Sequence, residues 1–157
     1  MKAEKECVLV IDTIRSAHNT GSMFRTADGA GVSRIILTGY TPAPIEKGKA
    51  RPDIAKVALG AEISILWEKV DTAVEALSKL KKEGYAILVL EKMEGSQPLF
   101  EYESPKKFAL FVGNEVDGVP QEVLNLCDAI LEIPMRGVKE SLNVSVAAGV
   151  ALYALLS

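Results

Sequence analysis

Ile133-Pro134-Met135 closes an apolar run that begins at Ala129, and six residues after Met135 the chain reads Ser141-Leu142-Asn143-Val144-Ser145. An apolar strand thus runs into a proline-containing loop and then into a helix expected over 141–155. Leu142, Val146, Val150 and Tyr153, with Ala147, Ala151 and Ala154, recur on it at helical spacing, so most of it is expected in the core. The free N–H groups and the positive end of such a helix face whatever lies at its mouth. Ser141 is also a good N-cap, and capping alone accounts for a Ser or Asn at a helix start.

Working outward, short apolar runs alternate with helical patterns. Strands are expected at Cys7–Ile11, Arg34–Thr38, Ser64–Trp67, Ala86–Leu90, Ala109–Gly113 and Ala129–Ile133. Their mostly continuous apolar character predicts a sheet covered on both faces, hence parallel α/β packing in a single domain over 1–157. Helices are expected at about 20–30, 71–83, 120–126 and 141–155, with Asp71 and Glu75 at the start of the second and Gly84 closing it.

Composition narrows the function classes. The chain has 157 residues, 48% of them hydrophobic, which suits a well-buried core and excludes a disordered chain. No apolar run approaches the roughly 20 residues that span a bilayer, and MKAEKE lacks a signal-like apolar core, so no membrane association is expected. Cys7 and Cys127 lie far apart beside a single histidine, so no metal site is expected, and a reducing cytoplasm is the simple expectation. Net charge is −3, which argues against a polycation, yet basic residues gather locally. Lys47, Lys49, Arg51 and Lys56 form one group, in or beside a long loop from Gly39 to about Pro52; Arg136 and Lys139 form another. Lys79, Lys81 and Lys82 sit at a helix end, where they complement its dipole.

Two further segments carry candidate chemistry. In Asn19-Thr20-Gly21-Ser22-Met23-Phe24-Arg25, Asn19 or Thr20 can cap a helix and Gly21 allows close backbone approach. Arg25 follows Asn19 by about one and a half turns, so both can flank one ligand; a surface arginine on an amphipathic helix fits equally. In Phe111-Val112-Gly113-Asn114-Glu115-Val116-Asp117-Gly118-Val119-Pro120 a buried strand ends in a glycine-bounded loop before a helix that starts at Pro120. Ligands in open α/β sheets sit at such strand ends, and Asn114 and Glu115 would project there. Neither a dinucleotide fingerprint nor a phosphate-binding P-loop is present.

Together, Asn19-Thr20-Gly21…Arg25-Thr26-Ala27…Gly31, Gly113-Asn114-Glu115…Gly118-Val119-Pro120 and Ile133-Pro134-Met135…Ser141–Ser145 resemble the SpoU (TrmH-type) branch of the SPOUT RNA methyltransferases, in order and over nearly the whole chain. The resemblance implies an α/β fold with a C-terminal trefoil knot over roughly 85–157, S-adenosylmethionine as methyl donor, a homodimer, and methylation of a ribose 2′-hydroxyl in tRNA or rRNA. Only the resemblance licenses a knot, since chains do not ordinarily thread. It further implies that Arg25, Asn19, Glu115, Ser141 and Asn143 serve catalysis, and that Leu90, Gly113, Asn114, Ile133, Met135, Ser141 and Leu142 cradle the cofactor. Many members carry an added RNA-binding domain, which is not expected here. RNA affinity is then assigned to Arg25, Lys47, Lys49, Arg51, Lys56, Arg136 and Lys139. A guanidinium is too weak an acid to act readily as a base, which favours Arg25 as a stabiliser of a developing alkoxide. The competing readings are a non-catalytic RNA-binding or assembly module with the same fold, and methylation of a base nitrogen.

Overall fold

Strand β1 (Glu6–Asp12) is buried along all but its first residue and organises the molecule. In this computed structural model residues 4–114 and 116–157 are described; Glu115, an expected catalytic residue, lies outside them. Around β1 the main sheet adds β2 (Arg34–Thr38), β5 (Leu66–Val70), β6 (Ala86–Leu90), β7 (Gln97–Pro98), β8 (Lys107–Gly113) and β9 (Ala129–Glu132). The order is β5-β2-β1-β8-β6-β9-β7, and each of these pairings is parallel. A separate antiparallel hairpin joins β3 (Ile45–Glu46) to β4 (Lys49–Ala50).

The alternation of side chains along β1 builds two cores. Cys7, Leu9 and Ile11 face the layer of α1 (Ala17–Ala30) and α6 (Val144–Leu156). Val8 and Val10 face α4 (Ala73–Lys82) and residues near α5 (Gln121–Leu124). A strand apolar on both faces needs cover on both, which is why these runs read as continuous rather than alternating.

Helix starts differ from expectation in an instructive way. Helix α1 begins three residues early, because Ser16 rather than Asn19 or Thr20 caps it, its side chain accepting from the Asn19 N–H. Thr72, not Asp71, caps α4. Pro120 takes the cap position of α5 instead of the first helical position. Asn143, not Ser141, caps α6, its Oδ1 accepting from Ser145 N–H at 2.8 Å and Ser145 Oγ at 2.6 Å. The buried stripe of α6 is Val144, Ala148, Ala151, Leu152 and Leu155, while Val146 and Tyr153, expected inside, are exposed. Strand β5 is displaced from the expected Ser64–Trp67, because Ser64 ends a short helix, α3 (Ala61–Ser64).

The long loop after β2 holds structure that its proline and lysine content hides. The β3–β4 hairpin turns through Lys47 (φ 51°) and Gly48 (φ 75°), the doubly positive pair that a tight two-residue hairpin demands. Helix α2 (Pro52–Ala58) follows and packs on α1 at Gly21. A Cβ on Gly21 would stand 2.8 Å from the Ile54 carbonyl oxygen, so the close backbone approach expected there is made by another helix of the same chain.

Candidate cofactor and RNA site

The carboxyl ends of β6, β8 and β9 open into one cavity of about 680 Å³. Its floor is Leu90 from β6, Val112 and Gly113 from β8, and Leu131 from β9. Beyond β9, Ile133 and Met135 rise as one wall, and Glu140, Ser141 and Leu142 return as its continuation into Val144 and Ala147 of α6. Six of the seven residues expected to cradle a cofactor therefore line one space: Leu90, Gly113, Ile133, Met135, Ser141 and Leu142. Asn114 does not line it. Its Nδ2 donates to the Tyr40 hydroxyl at 2.9 Å and its Oδ1 accepts from Val116 N–H at 2.7 Å, which turns it along the sheet's rim.

The lining suits S-adenosylmethionine by the chemistry of its donors. Leu90, Val112, Leu131, Ile133 and Leu142 offer apolar surface for a purine and a thioether-like chain. The N–H groups of Met135, Ser141 and Leu142 meet no acceptor among the described residues, so they are available to a ligand. A Cβ on Gly113 would meet the buried Phe111 ring at 3.3 Å, so this strand end is closely packed on that side. Glu91, Glu132 and Glu140 supply negative charge for a sulfonium and an ammonium, and Lys92 a cation for a carboxylate. These four charged residues were not expected from sequence; their positions directly after β6, at the end of β9 and before α6 are the signal that could have found them.

At the rim, the Asn143 side chain reaches Asn19 of α1, Nδ2 donating to Oδ1 at 3.4 Å. The first and third expected motifs thus meet within one chain. Arg25 stands farther along α1, about 9 Å from Asn19 along the axis at 1.5 Å per residue. It is exposed and makes no hydrogen bond or ion pair among the described residues. Arg136 and Lys139 are exposed on the segment that walls the cavity.

The basic group of the hairpin is less free than its composition suggests. Arg51 pairs with Asp53 at 2.6 Å and with Glu46 at 3.2 Å. The Glu46 carboxyl is held below the ordinary range, first by the Ala43 N–H that it accepts and then by the Arg51 guanidinium. Lys69 donates to the Thr41 carbonyl oxygen, and its pKa is lowered by burial. Lys47, Lys49 and Lys56 remain exposed. No cluster of three or more His, Cys, Asp or Glu side chains suited to a metal occurs among the described residues, and no described helix is long and apolar enough to cross a membrane.

Residues 6–153 match the model of the SpoU rRNA Methylase family. The chain is 34% identical over 152 residues to the tRNA (guanosine(18)-2′-O)-methyltransferase of Aquifex aeolicus, covering 97% of this chain and 69% of that protein. It is 35% identical over 151 residues to the 23S rRNA (guanosine-2′-O-)-methyltransferase RlmB of Neisseria meningitidis, covering 96% of this chain and 58% of that protein. The crystal structure of an AdoMet-bound rRNA methyltransferase from Sinorhizobium meliloti superposes with a TM-score of 0.86 at 27% identity, covering 97% of this chain and 56% of that one. The chain therefore spans between just over half and about two thirds of the length of these proteins. With a family match over nearly its whole length, a parallel sheet of the same fold and a cavity where the motifs converge, the chain belongs to the SpoU methylase family.

Proposed function

We propose that the protein transfers a methyl group from S-adenosylmethionine to a ribose 2′-hydroxyl of tRNA or rRNA. The observation that carries this reading is the convergence of strand ends, cavity wall and the Asn19–Asn143 contact at one place. Relatives named for guanosine 2′-O-methylation of tRNA and of 23S rRNA support it. They support the two RNA classes alike, so the class and the nucleotide are left to experiment.

The cofactor, when bound, supplies a strongly electrophilic methyl on a sulfonium. Leu90, Gly113, Ile133, Met135 and Leu142 are placed to hold it, and the cavity's glutamates to neutralise its positive charge. A ribose hydroxyl is a poor nucleophile at neutral pH, so the chain's task is alignment and stabilisation of the developing alkoxide. Ser141 and Asn143 present hydroxyl and amide groups at the mouth for the ribose. Arg25 supplies the cation for the alkoxide and a neighbouring phosphate, and Glu115 keeps its expected catalytic role.

Because Arg25 stands on the exposed side of α1, away from the cavity lining of its own chain, the working form is a homodimer in which α1 of one protomer faces the cavity of its partner. The exposed Val146 and Tyr153 on α6 supply apolar surface for that contact. The strand order, with α6 returning from β9 to pack on α1, is consistent with the trefoil crossing over roughly 85–157. Residues 1–157 are assigned to one SPOUT domain, and the protein is assigned to the cytoplasm.

Incubation with methyl-labelled S-adenosylmethionine and total tRNA or rRNA tests the reading, with nucleoside mass spectrometry to place the methyl. Label on a 2′-O-methylated nucleoside is the expected result. Unlabelled RNA of every class, together with no cofactor binding by calorimetry, overturns it. A methyl on a base nitrogen redirects it.

A further inference from the structure

One exposed aromatic stands beside the cavity without a packing role. Tyr40, just past the end of β2, is 48% exposed, yet it is fixed at two points. Its hydroxyl accepts from Asn114 at 2.9 Å, and the Arg15 guanidinium lies over its ring, 5.2 Å from the centroid. These residues come from the carboxyl ends of three adjacent strands, β2, β1 and β8. The cavity begins at the end of β8, so the ring lies on the order of 10 Å from it, two strand spacings away.

The corner that carries them is braced. Thr41 Oγ1 donates to the Ile11 carbonyl oxygen and accepts from Ile14 N–H, both at 3.0 Å, which rivets the loop after β2 to the loop after β1. Thr38 donates to the buried Asp12 carboxyl at 2.8 Å, and Thr13 N–H donates to the Thr38 carbonyl oxygen at 3.1 Å. Thr13 itself is held at φ 50°, a left-handed conformation that a β-branched residue rarely adopts. Rigidity of this kind around a half-exposed ring spends stability on presenting that ring to something outside the chain.

We propose that the Arg15–Tyr40 pair is a stacking platform for a nucleobase of the RNA strand, within about one nucleotide of the methylated ribose. Unpaired bases are characteristically stacked on aromatic rings and on guanidinium planes, and this pair offers both in one fixed stack. Asn114 sets the ring's orientation, which gives that side chain a positioning role at the rim. Arg15 lies four residues before Asn19, just outside the Ser16 cap of α1, so a strand whose ribose reaches the Asn19–Asn143 edge can lay the adjoining base on Tyr40. The inference rests on the RNA-methyltransferase reading above.

The test is fluorescence anisotropy with a short labelled single-stranded RNA and with a matched strand of abasic ribose units, at several salt concentrations. Cofactor calorimetry and thermal melting accompany every variant. Tyr40→Leu is expected to weaken binding to the RNA roughly tenfold, to leave the abasic strand unaffected, and to keep the salt slope, because no phosphate contact is lost. Arg15→Lys keeps the charge and loses the plane, so it should also weaken base-dependent binding at an unchanged slope. Tyr40→Phe keeps the ring but loses the hydrogen bond from Asn114, so its affinity should fall between those of Tyr40→Leu and the wild type. Equal losses on both strands, or a flattened salt slope, would mean phosphate contact alone and overturn the stacking assignment. A wild type that binds and methylates RNA while Tyr40→Leu matches it also overturns it, leaving the enzymatic reading intact. A wild type that neither binds RNA nor transfers methyl defeats both.

Discussion

Asn143 caps the last helix with its Oδ1 while its Nδ2 donates to Asn19 Oδ1, 124 residues away in the chain, at 3.4 Å. One amide thus performs a local task and a tertiary one with its two ends. Serine is as good a cap as asparagine but too short to reach Asn19. Asn143→Ser should therefore keep stability within about 0.5 kcal/mol, whereas Asn143→Ala should cost about 1 kcal/mol. Both should slow methyl transfer, by about a hundredfold if alignment at the rim matters as proposed. Thermal melting beside single-turnover methylation separates the two tasks; wild-type rates in Asn143→Ser would detach the residue from the chemistry.

Gly21→Ala tests the seam between α1 and α2. The added methyl would lie 2.8 Å from the Ile54 carbonyl oxygen and 3.0 Å from Val57 Cβ, so α2 must shift. Overpacking of this kind costs about 1–3 kcal/mol, readable as a lowered urea midpoint.

Acid should loosen the β3–β4 hairpin before it unfolds the domain. The Glu46 carboxyl titrates below its ordinary value in the folded chain, so its contribution is complete above that value and disappears as pH falls through the depressed one. Hydrogen exchange at Ala43 N–H, which donates to Glu46, should accelerate relative to Glu46→Gln as pH falls below the ordinary glutamate value of about 4.3. An unchanged ratio of the two rates would show that the carboxylate does not hold the hairpin.

Thiol chemistry should discriminate the two cysteines. Cys7 is fully buried in β1 and burial pushes its thiol up to about 12. Cys127, half-buried after α5, is also shifted upward by burial and by Asp128. With a disulfide reagent at about pH 8, Cys127 should react slowly and Cys7 only after denaturation. Mass spectrometry of the adducts identifies each.

Several parts of the molecule could be read from sequence for plain physical reasons. Strands β1, β6 and β8 are apolar on both faces, and that signal survives without tertiary knowledge. Strand β5 is an edge strand with exposed Leu66, so its pattern was blurred and shifted onto the neighbouring α3. Helix α2 was hidden because Pro52 and the flanking lysines read as loop, although proline suits a first helical turn. The cavity wall was legible because Ile133, Met135 and Leu142 flank a proline loop at a strand end. Its glutamates were not, since single acids near turns are ordinary. The Arg15–Tyr40–Asn114 arrangement could not be read at all, because three loops separated in sequence meet only when β2, β1 and β8 lie side by side.

The order in which the pieces leave the ribosome gives the cavity wall a further meaning. Every strand of the sheet is complete by Glu132, and Ile133–Leu142 and α6 follow it. The far end of α6 is then clasped by two earlier segments: Lys5 Nζ, just before β1, donates to the Leu155 carbonyl oxygen at 3.0 Å, and Ser104 Oγ, just before β8, donates to the same oxygen at 2.6 Å. A nascent chain therefore owns its sheet before it owns a pocket. Competence to hold the methyl donor arrives only when α6 locks against residues made before it.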